Sequence, residues 1–444
     1  MEPGIVLVVI GVACVFAAIL AAAAAFIVAR RAAKWISAGL ALVFVIASVG
    51  LFIRAPLAPA NASAPVADGL TLISAVNGRV GATLSALSAR DGITARWRHS
   101  AGAFVSAAPV VRDGVVYVTN RAPGGNGGDA VSALRIADGS TLWHTTFSSS
   151  LLSAPAIADG HVFVMALRIT SGPPDRQIIA LDTATGKETW RQSIADTFFF
   201  SPDTHPLSAG GGLVVIAGSA TDTAGILALR ATDGQIAWTA PVTPGGSRAD
   251  VIISDGMLLA LMTQGSAGSQ QIRALRLSDG APLWTTSGTW TSHGAFVVTA
   301  DALYLATQDN SAITNPANES AGQFVYAYAL RDGSPRWRHP TDSPTLSLAS
   351  AGDTLFVSTT HALHALRLTD GSELWHRDGA DNTLLAAPGA LFAVSTAAPD
   401  GPRLCPLTPC SSATIQLSAL SLRDGSPYWN IQTDSPPLIA LAGA

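Results

Sequence analysis

From about residue 66 onward the chain is a succession of short apolar runs broken by small polar turns. Residues 107–147 show the pattern most clearly. Val110-Val111 and Val115-Val116-Tyr117-Val118 flank Arg112-Asp113-Gly114, which predicts two strands joined by a tight turn. After a glycine-rich stretch, Val131-Ser132-Ala133-Leu134 alternates as a third strand would. Ala137-Asp138-Gly139 is the next turn, and Leu142-Trp143-His144 opens a fourth strand. Both turns read as two-residue hairpins, because Gly accepts positive φ without steric cost. The predicted unit is a four-stranded antiparallel meander, A to D.

The unit recurs. An Ala is followed six residues later by Gly and then by Trp, in the copies ending at Trp97, Trp143, Trp190, Trp238, Trp284, Trp337, Trp375 and Trp429. The mean spacing of these tryptophans is about 47 residues, the period of a β-propeller blade. Seven of the eight Trp-linked turns are Asp-Gly, and Thr185-Gly186 is the exception. A single meander cannot bury both of its faces, so neighbouring meanders must stack. The expected fold is all-β: an eight-bladed β-propeller of four-stranded antiparallel blades. The eight tryptophans are structural repeat anchors in this reading, each indole lying at a blade-to-blade seam where Ala and Gly leave room for the ring.

The segment Ala180-Leu181-Asp182-Thr183-Ala184-Thr185-Gly186-Lys187-Glu188-Thr189-Trp190 resembles the tryptophan-docking motif of the PQQ (pyrroloquinoline quinone) repeat. That family includes quinoprotein dehydrogenases and non-enzymatic BamB-type propellers that assist outer-membrane protein assembly. The resemblance spans residues 66–444 in eight copies and implies the BamB-type branch more than the enzymes. As a family, the enzymes carry adjacent cysteines, a calcium-binding carboxylate and amide cluster, and a catalytic Asp. No adjacent Cys pair occurs here, and the nearest polar cluster, Asp309-Asn310 with Asn318-Glu319, lies in an insertion. No catalytic, cofactor-binding or metal-ligating residue can therefore be assigned, and no cofactor is expected. PQQ with Ca²⁺ belongs to the alternative, a quinoprotein dehydrogenase oxidising alcohols or sugars.

The first 54 residues differ in kind. Residues 4–29 and 36–53 are long uncharged runs, about 39 and 27 Å as helices, each near the thickness of a bilayer core. They predict a transmembrane helical hairpin over residues 1–54. Arg30, Arg31 and Lys34 between the runs place the hairpin's turn in the cytoplasm, and everything after Arg54 outside. Met1-Glu2-Pro3 lacks the positive n-region of a cleaved signal peptide. Pro56, Pro59 and Pro65 make residues 55–65 a semi-extended linker. The expected location is the cytoplasmic membrane of a bacterial cell envelope, multi-pass, with the propeller on the extracytoplasmic side. A two-helix anchor stands where BamB-type proteins have a lipid, which argues against a role in outer-membrane assembly.

The formal net charge of −4 carries no basic surplus, so nucleic acid is not an expected partner. Cys14 lies in the first apolar run. Cys405 and Cys410 bracket Pro406-Leu407-Thr408-Pro409 and read as a loop-closing disulfide in an oxidising compartment. The nine histidines show no metal spacing, and His99, His144, His339 and His376 follow their repeat Trp on the solvent side of D strands. Ser201-Pro202-Asp203-Thr204-His205 groups hydrolase residue types without a nucleophile elbow. The A–B and C–D turns are short, whereas the B–C connections vary widely in length and all leave one end of the blades. That end is the candidate surface for a protein partner.

The last residues of the chain parallel 341–351, an expected A strand, but have no B, C or D behind them. The first blade has the opposite shortage. Residues 438–441 are therefore expected beside residues 70–76, closing the propeller. The competing local strand is Ser63-Ala64-Pro65-Val66, which resembles Ser153-Ala154-Pro155-Ala156.

Overall fold

Asp-Gly makes two different turns in this protein, and the difference organises each blade. At Asp113-Gly114, Asp159-Gly160 and Asp255-Gly256 both residues have positive φ, 49° and 73° in the first pair. Arg112 and Val115 pair directly across that turn, so it is the two-residue hairpin expected between A and B. At the Trp-linked C–D turns only the Gly is left-handed. In blade 2 the Gly139 amide donates to the Arg135 carbonyl and the Arg135 amide to the Ser140 carbonyl. The C–D connection is thus a wider loop and not the two-residue hairpin expected there. The reason is a β-bulge between Ala133 and Leu134, which shifts the register and sets Ala133 opposite Trp143. The same bulge follows the repeat Ala in every blade.

The structure is a computed structural model. It describes residues 71–442, apart from 79–80, 93, 102–103, 122–128, 148–149, 169–174, 195–206, 219–224, 242–245, 265–268, 289, 310–321, 398–413 and 434–436. The expected transmembrane hairpin, the linker and the cysteines lie outside the described residues. Those residues form an all-β protein of eight antiparallel propeller blades. Each blade follows the order A-B-C-D, as in Gly246–Ser254, Met257–Gln264, Ser269–Arg276 and Pro282–Gly288 of blade 5. In blades 2 and 3 the A strand is split, into Phe104–Val105 with Val110–Arg112 and Ser150–Leu152 with Ala156–Ala158. Pro109 and Pro155, which cannot donate to a ladder, lie at the two breaks.

The blades group into two units. Unit 1 holds blade 1 with blades 7 and 8; unit 2, residues Ala101–Pro344, holds blades 2 to 6. In unit 1, the A strand of blade 1 is Leu438–Ala442, paired antiparallel with Thr71–Gly78 in the register Leu438↔Ala75 to Ala442↔Thr71. Residues 63–66 lie outside the described residues.

B and C strands are buried on both faces, as in Asp129–Arg135, where only Arg135 is exposed. Simple alternation was expected for this strand. It fails because blades pack face to face, as blade 2 does on blade 3, so a strand in the middle of a sheet is core and not half solvated. Only D strands keep the two-residue alternation, as in Thr141–Phe147.

Candidate functional site

The repeat residues meet at the seams. In all eight blades the repeat Ala, wholly buried, lies opposite the repeat Trp, from Ala86↔Trp97 to Ala419↔Trp429. Trp337 pairs with Ala327 in the same way, and its ring lies 5.6 Å from that of Tyr304. In unit 2, Trp143, Trp190, Trp238 and Trp284 each donate their Nε1–H to a carbonyl in the C–D turn of the following blade, at Thr183, Ala231, Leu277 and Leu330, over 2.7–2.8 Å. In unit 1, Trp375 and Trp429 do the same toward Leu422 and Ala89. The indole then covers the turn glycine. A Cβ at Gly92 would stand 2.5 Å from Trp429, and its φ of +67° already disfavours any side chain. These indoles are thus occupied by packing and by one hydrogen bond each.

The turn aspartates are occupied as well. Asp138, Asp233, Asp279, Asp332, Asp370 and Asp424 each accept a backbone amide from two residues ahead. In blade 3, where Thr185 replaces the turn Asp, Asp182 supplies the carboxylate instead and accepts the Thr185 amide at 2.8 Å. Hydrogen bonds from the Ser334 hydroxyl and amide hold the Asp332 carboxyl down to about 2.

The other end of each blade is where the B–C and D–A connections leave. The stretches 122–128, 169–174, 219–224, 265–268, 310–321 and 398–413 join B to C strands there and lie outside the described residues. At their base the structure shows the two buried carboxylates of the described residues, Asp129 and Asp381, neither of which sequence reasoning had found. Asp129 opens the C strand of blade 2. It accepts the Leu152 amide of blade 3 at 2.9 Å and faces Arg121 at 3.7 Å. Asp381 opens the A strand of blade 8, where Arg377 of blade 7 reaches it at 2.5 Å and its own amide donates to Ser358 at 3.0 Å. Burial pushes the Asp381 carboxyl up, and Arg377 only partly offsets that. Each carboxylate therefore ties one blade to the next. The sequence signal was weak: each is a single acid at the start of a strand, with no repeated counterpart.

Two histidine arrangements also escaped the sequence reading. Ser132 and His144 share a hydrogen bond of 2.9 Å, and Asn120 donates to Ser132 at 3.3 Å. On blade 7, His364 and His376 contact the two oxygens of Glu373 through Nδ1, at 2.9 and 2.7 Å. Burial would raise Glu373, but these two hydrogen bonds outweigh it and hold the carboxyl below its ordinary range. His361 lies in the short B–C turn of blade 7, and its carbonyl accepts the Gly379 amide. Among the described residues no three His, Cys, Asp or Glu side chains gather to hold a metal ion. Cys405, Cys410, the 201–205 segment, and all but Asp309 of the 309–319 polar cluster lie outside the described residues.

The fold is shared with several solved structures. BamB from Moraxella catarrhalis is 20% identical with a TM-score of 0.50, over 75% of this chain and 90% of that one. Quinohemoprotein alcohol dehydrogenase from Comamonas testosteroni is 15% identical with a TM-score of 0.52, over 89% and 75%. Dihydro-heme d1 dehydrogenase NirN, in complex with DHE, is 14% identical with a TM-score of 0.57, over 88% and 79%. Among curated protein sequences none matches. A family profile matches residues 80–315 and 321–444. With that match laid over eight in-phase blades, the chain belongs to the PQQ-like repeat propeller family described as outer membrane protein assembly factor BamB.

Proposed function

We propose that this protein is a membrane-anchored, extracytoplasmic propeller that binds a protein or cell-envelope ligand and carries out no reaction of its own. The observation that carries the reading is the contrast between the two ends of the blades. The C–D turns repeat almost residue for residue, and their Trp and Asp side chains are spent on packing and hydrogen bonds. The B–C connections run from residues 79–80 in blade 1 to residues 398–413 in blade 8. Variable loops on a rigid scaffold are where recognition resides.

Membership of the BamB family supports a protein partner. The apolar runs 4–29 and 36–53 support the membrane anchor, with Arg30, Arg31 and Lys34 in the cytoplasm. Reporter fusions after Arg54 check this topology: a periplasm-dependent reporter should be active there, and activity of a cytoplasm-dependent one would reverse it. The binding role is tested by cross-linking the full chain in native membranes and identifying partners by mass spectrometry. A recurrent partner linked to the B–C connections is expected. Links confined to the C–D turns, or no recurrent partner at all, would contradict the reading.

A second reading, oxidation of alcohols or sugars with PQQ and Ca²⁺, draws on the likeness in fold to quinohemoprotein alcohol dehydrogenase. Among the described residues no three His, Cys, Asp or Glu side chains gather to hold a metal ion.

A further inference from the structure

We propose that blade 1 carries a binding site for a phosphate group, held by Arg96 and Arg98. The proposal rests on the binding role given above and names the chemistry of a ligand for it. A phrase that the chain writes twice carries the argument.

Arg-Trp-Arg-His occurs as Arg96–His99 in the D strand of blade 1 and as Arg336–His339 in the D strand of blade 6. The two copies share their register, with Arg98 across from Ser85 and Arg338 across from Tyr326. In blade 6 both guanidiniums are engaged. Arg336 holds Asp301 at 2.7 Å, and Arg338 lies over the Phe324 ring, 5.0 Å from its centroid. The other D-strand arginines are engaged too, Arg191 with Glu188 and Arg377 with Asp381. Arg96 and Arg98 are exposed, and among the described residues neither guanidinium has a hydrogen bond or an ion pair. Asp91 is the sole acid from residue 71 to residue 100, against four arginines, and the Thr94 amide and hydroxyl already occupy it. The whole chain has a net charge of −4, so this basic surplus is local.

The neighbours of the two copies differ as well. Residues paired across antiparallel strands share a face, and so does every second residue along a strand. Arg338 therefore shares its face with Tyr326, Phe324 and Pro340. At the same positions Arg98 has Ser85, Thr83 and Ser100. Ser85 is half-buried, Thr83 and Ser100 are exposed, and among the described residues no hydrogen bond engages their hydroxyls. Rings and a carboxylate in blade 6 are thus replaced in blade 1 by hydroxyl donors around an open guanidinium. Such a set suits an oxyanion. The planar fork of Arg98 matches two phosphate oxygens, and the hydroxyls can donate to the others. Arg96, about 6–7 Å away along the strand, supplies a second positive charge for a doubly charged phosphate.

The test titrates the full chain, in nonionic detergent at low salt, with inorganic phosphate and with glycerol 1-phosphate, read by thermophoresis. Saturable binding is expected, and tighter binding of the second compound would place the ligand's phosphate on an ester. Replacing both arginines, Arg96→Gln with Arg98→Gln, should weaken binding about tenfold or more. The matched change in blade 6, Arg336→Gln with Arg338→Gln, removes the same charge and should leave the affinity unchanged. Arg98→Lys keeps the charge but loses the fork, and should weaken binding severalfold; it decides the matter if the double variant does not fold. Affinity unchanged in the blade 1 variants, or lost equally in blade 6, overturns the site. Acetate binding as tightly as phosphate overturns the ligand class. Absent phosphate binding beside a recurrent protein cross-link strikes this site and leaves the binding role standing. Retained PQQ with substrate oxidation strikes that role and leaves the site.

Discussion

Asp332 and Asp381 are the same residue used in opposite ways. Asp332 stands exposed in a C–D turn, where the Ser334 hydroxyl and amide donate to it at 2.6 and 3.0 Å, and its carboxyl titrates near 2. Asp381 is buried where blade 7 hands over to blade 8, and burial raises its carboxyl despite Arg377. At the turn the carboxylate shapes a backbone loop in water. At the seam it holds two blades together at the cost of desolvation. The turn carboxylates are met within their own loops, whereas the two buried carboxylates at the variable end depend on the neighbouring blade.

The contrast can be broken from the repeated side first. Ending the chain at Thr433 removes Leu438–Ala442 and leaves Thr71–Gly78 an open apolar edge. The domain should then lose its cooperative melt or aggregate. A truncated protein that stays monomeric and melts normally would mean that residues 63–66 fill the A position of blade 1. Next in size, Trp238→Ala removes a buried indole, its bond to Leu277 and its contact with Gly280. The expected loss is about 3–5 kcal/mol, read from denaturant unfolding; an unchanged midpoint would refute the anchoring role given to these tryptophans.

The smaller tests concern the two carboxylates. Asp381 has a folded-state pKa above its unfolded value, so its contribution favours folding below the unfolded pKa and fades as pH rises through the folded one. Replacing it, Asp381→Asn, should cost about 1–3 kcal/mol at pH 7, because half-buried Arg377 is left without its carboxylate and relief from burying the Asp charge offsets only part of that. The wild type should gain on the variant as pH falls toward the ordinary Asp range, measured by urea unfolding at several pH values. Asp332 runs the other way. Its depressed pKa adds stability above the unfolded value of 3.8, and that share is lost as pH falls through about 2. A carboxyl-carbon NMR titration should place its midpoint near 2, and Asp332→Ala should flatten the acid limb of the stability curve. A midpoint at the ordinary value would remove the turn-capping role.

The blades were legible because one phrase is written eight times, and repetition fixes both period and role. Trp190, Gly186 and Ala180 could be placed before any coordinates, and so could the pairing of Leu438 with the first blade. The C–D geometry was not legible, because Asp-Gly fits a two-residue hairpin equally well and only the bulge after the repeat Ala excludes it. Asp129 and Asp381 were hidden for a different reason. Burial of a lone acid is decided by a seam between blades distant in hydrogen-bonding partner, and nothing adjacent in the chain marks it. His376 was read correctly as a solvent-side residue of a D strand, but its bond to Glu373, shared with His364, depends on the strand register.

On the function proposed above, this PQQ-like frame serves binding and not catalysis. Purified full-length protein should be incubated with PQQ and Ca²⁺, freed of excess cofactor, and assayed for dye reduction with alcohols and sugars while its quinone absorbance is recorded. The prediction is no substrate-dependent dye reduction and no retained quinone. A stoichiometric quinone band with dye-linked oxidation of an alcohol or sugar would contradict it.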